Sequence, residues 1–118
     1  MSEEENPFIP LTLTAWASKA MEYRLDTADA RYAEQNLVGE VGELFGHLAK
    51  ERRDGPYTGR KADDHKRLIK KEIGDILWHL QAVAEDNGTT LEECALINLV
   101  KLRDRSERGV LQGSGDER

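Results

Sequence analysis

Two related segments, EVGELFGHL at residues 40–48 and EIGDILWHL at residues 72–80, lie thirty-two residues apart in this chain. Each segment places two carboxylates three residues apart, which puts them on one face of a helix about one turn from each other. The two pairs are Glu40 with Glu43, and Glu72 with Asp75. In both segments the acids flank an apolar stripe of helical period. We therefore expect two amphipathic helices, each with a pair of acids at the border of its buried side.

The same apolar period, followed outward from these segments, predicts four helices. The first begins near Leu11 or Thr12, the second covers Ala30 to about Arg53, the third covers about His65 to Asp86, and the fourth covers Leu91 to about Glu107. Glycine and proline in residues 54–64, which have no apolar period, predict a loop that reverses the chain. Gly88 and the capping-box pair Thr90 and Glu93 predict the break before the fourth helix. Because no strand pattern occurs and the connections are short, the expected fold is an all-α, antiparallel four-helix bundle.

The apolar stripe of each helix also predicts which of its residues are buried. These are Leu13, Trp16 and Ala20 in the first helix, Leu37, Val41, Leu44 and Leu48 in the second, Ile69, Ile73, Ile76, Leu80 and Val83 in the third, and Ala95, Leu99 and Leu102 in the fourth. Hydrophobic residues make up 38% of the 118 residues and aromatic residues only 6%, a small supply for one core. We expect a single domain at residues 11–107 that is completed by subunit association, between an N-terminal arm (1–10) and a glycine-rich tail (108–118).

The net charge and the cysteine content of the chain argue against several classes of protein. A net charge of −6 and a pI near 5.1 argue against a protein that binds nucleic acid or an anionic membrane with its whole surface. No apolar run approaches the roughly 20 residues that a membrane-spanning helix needs. Cys94 is the only cysteine, so no disulfide can form within the chain. Since no signal-peptide pattern is present either, we expect a cytoplasmic protein without a membrane partner.

The two acid pairs predict a metal site. If the second and third helices pack antiparallel, four carboxylates converge and repel one another. A hard divalent cation removes this repulsion, and all-oxygen ligands select Mg²⁺, Mn²⁺ or Ca²⁺ over Zn²⁺. We expect Mg²⁺, with Mn²⁺ as a substitute, because Mg²⁺ keeps water positions open for phosphate oxygens. The alternative is that the acids are solvated and pair with Lys50, Lys70 and Lys71. The repetition of the pair at matching positions favours the metal site.

Histidines and cations complete the candidate site. His47 and His79 each follow the second acid of a pair by four residues and share its face. The Glu-x-x-His spacing of di-iron bundles is absent, so we expect these histidines beside the ligands or at an interface. In the fourth helix, Asn98, Lys101 and Arg105 lie on one side. Fixed cationic donors suit phosphate, although a basic last turn also complements the helix dipole.

The segments GEVGE at residues 39–43, KEIGDILWHL at residues 71–80 and NLVKLRDR at residues 98–105 together resemble the MazG-like nucleotide pyrophosphohydrolases of the all-α NTP pyrophosphatase group. The similarity runs from about Asn36 to the C-terminus. It implies Mg²⁺ binding by Glu40, Glu43, Glu72 and Asp75, and contacts to the phosphates or sugar of the substrate by Asn98, Lys101 and Arg105. It also implies a homodimer or a dimer of dimers.

The resemblance further implies hydrolysis of a nucleoside triphosphate to the monophosphate and pyrophosphate. Glu43 and Glu72 are the predicted catalytic carboxylates, and Glu43 is preferred as the acceptor of the proton of the attacking water. The resemblance is weak in the first thirty-five residues, where Trp16, Lys19 and Tyr23 are the candidates for the wall that faces the base.

Two other functions are compatible with parts of the sequence. Nine of the seventeen Lys and Arg residues fall between Lys50 and Lys71. A non-enzymatic oligomerisation or nucleic-acid-binding module would use this basic region, and its binding would be sensitive to salt. A redox-active di-metal carboxylate bundle would instead copurify with iron or manganese.

Overall fold

The computed structural model describes residues 11–109, which form four α-helices and their connections. The helices are α1 (Leu13–Met21), α2 (Ala30–Asp54), α3 (Gly59–Asp86) and α4 (Leu91–Glu107). Residues 11–109 contain no strand, and none of their helices has both the length and the apolarity to span a bilayer. The all-α class with four helices is therefore confirmed. The predicted arm and most of the predicted tail lie outside the described residues.

The two longest helices, α2 and α3, form an antiparallel hairpin that is the main packing contact of the chain. Residues 55–58 alone connect them, so α3 begins at Gly59 and not near His65. The sequence predicted a longer loop because residues 59–64 lack an apolar period. This prediction was wrong, since these residues nevertheless favour helix. Arg60, Lys61 and Ala62 have high helix propensity, and the exposed end of a helix needs no apolar stripe.

Capping side chains fix the starts of the other three helices. The Thr12 hydroxyl accepts the N–H of Ala15, the Asp29 carboxylate accepts the N–H of Tyr32, and the Thr90 hydroxyl accepts the N–H of Glu93. Each such cap contributes about 1 kcal/mol. Glu93 Oε2 in turn accepts the hydroxyl of Thr89 at 2.7 Å. Gly88, with φ at 71°, occupies the left-handed position after α3 that the sequence predicted.

Polar contacts attach α1 and α4 to the C-terminal half of α3. Trp78 Nε1 donates to the carbonyl oxygen of Ala20 at 3.1 Å, which joins α3 to the end of α1. Gln81 is 5% exposed, and its Oε1 accepts the N–H of Leu91 at the start of α4. Both smaller helices therefore lie toward the end of the hairpin opposite to the connection at residues 55–58.

Very little apolar surface is buried within one chain. Among the described residues, the buried apolar side chains are four alanines: Ala20, Ala33, Ala82 and Ala84. No large side chain in this part of the chain is fully buried. A large apolar side chain contributes about 1.5–3 kcal/mol only when it is fully buried. Within residues 11–109 the fold therefore gains less from its apolar side chains than their number allows.

The predicted buried sides of α3 and α4 are partly wrong for the single chain. Ile73 is 52% exposed and Leu80 39%, whereas Ile69, Ile76 and Val83 are half-buried. On α4, the three predicted core residues Ala95, Leu99 and Leu102 are all exposed. The reason is physical: an apolar stripe shows which side of a helix avoids water, but not which surface covers it.

Arg24, in the connection between α1 and α2, anchors this connection to the end of α3. Its Nη1 and Nη2 donate to the two carboxylate oxygens of Asp86, each at 2.9 Å, and its Nε donates to the carbonyl oxygen of Ala28 at 2.8 Å. The Arg24 side chain is only 13% exposed, so solvent screens this pair less than a fully exposed one. The hydrogen bonds from Arg24 hold the pKa of the Asp86 carboxyl below its ordinary value of 3.8.

We expect Arg24→Ala to lower the melting temperature by several degrees at neutral pH, because it releases the connection and leaves Asp86 unpaired. The pKa of Asp86 is lowered in the folded state, so the contribution of the pair is present above pH 3.8 and is lost as the pH falls below that value. Thermal unfolding followed by circular dichroism at neutral pH and near pH 3 measures both effects.

Arg67→Ala is the matched control for this substitution. Arg67 lies 3.9 Å from Asp64, and both side chains are well exposed, so this pair should contribute little. Equal melting temperatures for Arg24→Ala and the wild type at neutral pH would contradict the anchoring role of Arg24.

Candidate functional site

Three of the four predicted metal ligands come together where α2 packs on α3. One carboxylate oxygen from each of Glu40, Glu43 and Glu72 lies within 4.8 Å of the other two. Oxygens on opposite sides of an octahedral Mg²⁺ are about 4.1 Å apart, so small side-chain rotations would let one ion contact all three. We call these three residues the acid trio. It is formed by the two related segments, one from each helix of the hairpin.

Two oxygens of the acid trio have no hydrogen-bond partner. Glu72 is 8% exposed and Glu40 is half-buried, whereas Glu43 is exposed. Glu40 Oε2 and Glu72 Oε2 are buried, and neither accepts a hydrogen bond from the described part of the chain. A buried polar atom without a partner costs about 1–3 kcal/mol, and more when it is charged. Two such oxygens in an all-oxygen donor set fit a hard divalent cation.

The acid trio carries uncompensated negative charge. Burial raises the pKa of the Glu40 carboxyl above its ordinary value of 4.5, and the negative charges of the other three predicted ligands raise this pKa further. His79 acts on the same pKa in the opposite direction. Ionised Glu40 therefore opposes folding when no cation is bound.

Asp75, the fourth predicted ligand, lies at the edge of this cluster. It is exposed and is not one of the three clustered acids. Its charge is nevertheless among the causes of the raised pKa of Glu40. The structure thus brings Asp75 near the acid trio but outside its 4.8 Å cluster, so the exposed Asp75 side chain would have to move to share one ion with the trio.

The two histidines of the related segments lie on either side of the acids. His47 Nε2 is 3.7 Å from Glu72 Oε1, too far for a hydrogen bond. The Nδ1 of His79 lies 2.8 Å from the backbone carbonyl oxygen of Asp75. Both histidines therefore neighbour the acids, as expected for residues beside the ligands.

Tyr32 and Trp78 are neighbours of this site that the sequence analysis did not single out. The ring of His79 lies between theirs, with centroids 6.5 Å from Tyr32 and 5.1 Å from Trp78. Tyr32 is 46% exposed, so this aromatic group reaches the surface. The sequence could have indicated that Tyr32 lies near the site, because Tyr32 precedes Glu40 by eight residues, two successive i, i+4 spacings along one helix.

The predicted substrate-binding residues of α4 are not joined to the acid trio in the single chain. Arg105 is 8% exposed, Lys101 is half-buried and Asn98 is exposed. Among the described residues, α4 contacts α1 and α3 but not α2, which carries two of the three acids. Lys101 and Arg105 thus lie against their own chain, whereas Asn98 and most apolar side chains of α4 face solvent.

The candidates on α1 are also separate from the acid trio. Trp16 is half-buried, and Lys19 forms an exposed ion pair with Glu22 at 3.0 Å. Tyr23 is 71% exposed. Within residues 11–109, α1 has no contact with α2, and its bond to Trp78 holds it against the C-terminal half of α3.

Glycine separates the acids in both segments, at Gly42 and Gly74. A Cβ atom built at either position meets no other atom within 4 Å. Packing within the chain therefore does not require glycine at these two positions. The space beside them is open to a ligand or to another chain.

We expect Glu40→Gln to raise the melting temperature at neutral pH in the presence of a chelator. Because the pKa of Glu40 is raised in the folded state, the free energy of unfolding decreases as the pH rises from 4.5 through that raised pKa. Glutamine does not ionise, so the substitution removes this decrease. The difference from wild type should therefore shrink as the pH falls below 4.5. Thermal unfolding across this pH range is the measurement.

Glu34→Gln, an exposed position of the same helix, is the control and should show no such gain. A lower melting temperature for Glu40→Gln than for the wild type at neutral pH would show that the ionised carboxylate stabilises the fold, contrary to this interpretation.

Comparison with known proteins identifies the family of this chain. Residues 30–110, which include both acid pairs and all of α4, match the MazG nucleotide pyrophosphohydrolase domain. The chain is also 38% identical over 89 residues to the Gene 37 protein of Mycobacterium phage L5, an alignment that covers 74% of this chain and 75% of that protein. No solved structure matches the chain. The chain therefore belongs to the MazG nucleotide pyrophosphohydrolase family.

Proposed function

We propose that this protein hydrolyses a nucleoside triphosphate to the monophosphate and pyrophosphate, with Mg²⁺ held by Glu40, Glu43, Glu72 and Asp75. The observation that carries the proposal is the pair of buried, unpartnered oxygens in the acid trio, at Glu40 Oε2 and Glu72 Oε2. A purely structural cluster would bury such oxygens against donors. Membership of the MazG family supplies the reaction class.

The exposure of each acid indicates whether it would hold the cation or accept a proton in the reaction. Glu72 is buried and fixed between the helices, so it is suited to orient a cation, and Glu40 shares this role. Glu43 is exposed and is the member of the trio best placed to accept a proton from a water that approaches from solvent. Bound Mg²⁺ would neutralise phosphate charge and lower the pKa of a coordinated water.

The remaining residues supply recognition of the nucleotide. Lys101 and Arg105 are cations that would suit phosphate oxygens, and Asn98 could pair with phosphate or sugar. Trp16 and Lys19 remain candidates for the base side. The exposed Tyr32 ring, which lies beside His79, offers a further surface on which a base can stack.

We infer that the active form is a homodimer or a dimer of dimers. The outer face of α4 presents five exposed apolar side chains: Leu96, Ile97, Leu99, Val100 and Leu102. Val38 and Phe45 of α2 are 73% and 61% exposed. Obligate homodimers bury about 2,000–5,000 Å² of such surface. A second copy would complete the core that one chain lacks and bring a further α4 to the hairpin.

We expect the wild type to release pyrophosphate from at least one nucleoside triphosphate in the presence of Mg²⁺. Glu43→Gln and Asp75→Asn should lower kcat/KM by about a hundredfold or more, because even residues that only orient metal ligands cost about 10–100-fold when they are changed. The measurement is pyrophosphate release from a panel of ribo- and deoxyribonucleotides, with Mn²⁺ tested as a replacement.

Glu34→Gln again serves as the control, because it removes one carboxylate from α2 away from the trio. Equal turnover by the wild type, Glu43→Gln and Asp75→Asn would refute the assigned site. Melting temperatures of all variants separate loss of the site from loss of folding.

We expect Leu99→Glu to dissociate the oligomer and to abolish hydrolysis, because a charge in the apolar face of α4 opposes its burial against a second copy. Light scattering coupled to size-exclusion chromatography should give a multiple of 13.3 kDa for the wild type and a smaller species for the variant. Leu25→Glu is the matched control, since Leu25 is 72% exposed in the connection before α2. A monomeric wild type would contradict this inference.

A further inference from the structure

A small cavity lies at the closed end of the α2–α3 hairpin, next to the acid trio but not part of it. Its volume is about 270 Å³. The residues that line it come from the end of α2, the connection and the first turns of α3: His47, Lys50, Tyr57, Lys61, Asp64, His65 and Leu68. We call it the hairpin-end pocket. Pockets for drug-sized ligands measure about 300–1,000 Å³, so this one suits a fragment of a nucleotide and not the whole molecule.

The lining of the hairpin-end pocket is cationic. Lys50 and Lys61 form no ion pair within the described part of the chain. Both lysines approach the end of α2 closely enough for their charges to lower the pKa of Asp54, after the larger effect of the hydrogen bond from Arg53. The one carboxylate of the lining, Asp64, lies 3.9 Å from Arg67. An anion entering the pocket therefore meets two lysines that are not held in an ion pair.

Ring contacts and an ion pair position these groups. Lys61 Nζ lies 4.5 Å from the centroid of the Tyr57 ring, and Tyr57 packs edge-to-face on His65 with centroids 5.1 Å apart. The His65 side chain is only 10% exposed, and its Nε2 lies 3.2 Å from Glu51 Oε2 without forming a well-aligned hydrogen bond. His65 thus packs between Tyr57 and Glu51 in the wall of the pocket.

His47 connects the hairpin-end pocket to the acid trio. It lines the pocket, and its Nε2 lies 3.7 Å from Glu72 Oε1. His65 precedes Glu72 by seven residues, which places it on the same face of α3 at about 10 Å along the axis. A polyphosphate chain bound by a metal at the trio can therefore extend along the hairpin into the pocket.

We propose that the hairpin-end pocket binds the pyrophosphate segment of the substrate, the part that leaves, through Lys50 and Lys61. This assignment rests on the proposed function, since it presumes that the nucleotide is attacked at the phosphorus attached to the nucleoside. A cation bound by the acid trio would then hold the reacting end of the triphosphate, and the lysines would hold its distal end. The hairpin is negatively charged at the trio and positively charged at the pocket. This order matches a triphosphate with one end bound through a metal ion and with free phosphate oxygens at the other end.

Isothermal titration of the full-length protein with inorganic pyrophosphate, in buffer containing Mg²⁺, tests the pocket without requiring turnover. The double variant Lys50→Gln/Lys61→Gln should raise the Kd at least about tenfold, which is about 1.4 kcal/mol. It should also raise KM for the nucleoside triphosphate. The matched control Lys66→Gln/Lys70→Gln removes the same charge from exposed positions of α3 outside the lining and should change the Kd less than about twofold.

The outcomes separate the pocket from the proposed function. If no nucleotide is hydrolysed but pyrophosphate binding depends on Lys50 and Lys61, the proposed function fails and the anion pocket stands. If nucleotides are hydrolysed and the pocket variant binds pyrophosphate as the wild type does, the pocket is overturned and the function stands. Equal weakening in both double variants would assign the affinity to the basic surface as a whole and would also overturn the pocket.

Discussion

Repulsion between carboxylates that the fold forces together is the constraint on which the rest of this structure depends. The hairpin can bury the apolar stripes of α2 and α3 only by bringing the borders of these stripes into contact, and each border carries acids. Glu72 is 8% exposed with one oxygen unpartnered, and burial raises the pKa of Glu40. The chain therefore holds an arrangement that costs stability and that a divalent cation would relieve. Strain of this kind is typical of functional sites.

A sparse core is the second consequence of the same hairpin. Among residues 11–109 the buried apolar side chains are alanines, and the large apolar side chains of α2 and α3 are half-buried or exposed. The larger side chains of α4 and the outer side of α2 face solvent in one chain. The proposed homo-oligomer would couple folding to assembly, since a second copy would supply hydrophobic burial that one chain does not provide.

The sequence by itself determined the features that depend on local periodicity and local chemistry. Helix spacing within each segment was enough to pair Glu40 with Glu43 on one face of α2, and the pattern around Gly88 placed the break before α4 to the residue. Four helices and the absence of strands in the described chain also followed from the period of apolar residues alone. These predictions succeeded because each rests on residues within one or two turns of each other.

Only the tertiary structure decided which surfaces meet. It placed Glu72 in the acid trio and left Asp75 at the edge, although both belong to the same acid pair. In the structure Leu99 is exposed and Arg105 is buried. An amphipathic pattern does not predict this, because it shows which residues are polar but not which surface covers them. The hairpin-end pocket depends on how a four-residue connection folds α3 back on α2. Distances of this kind are set by packing between segments far apart in the chain, which no local spacing encodes.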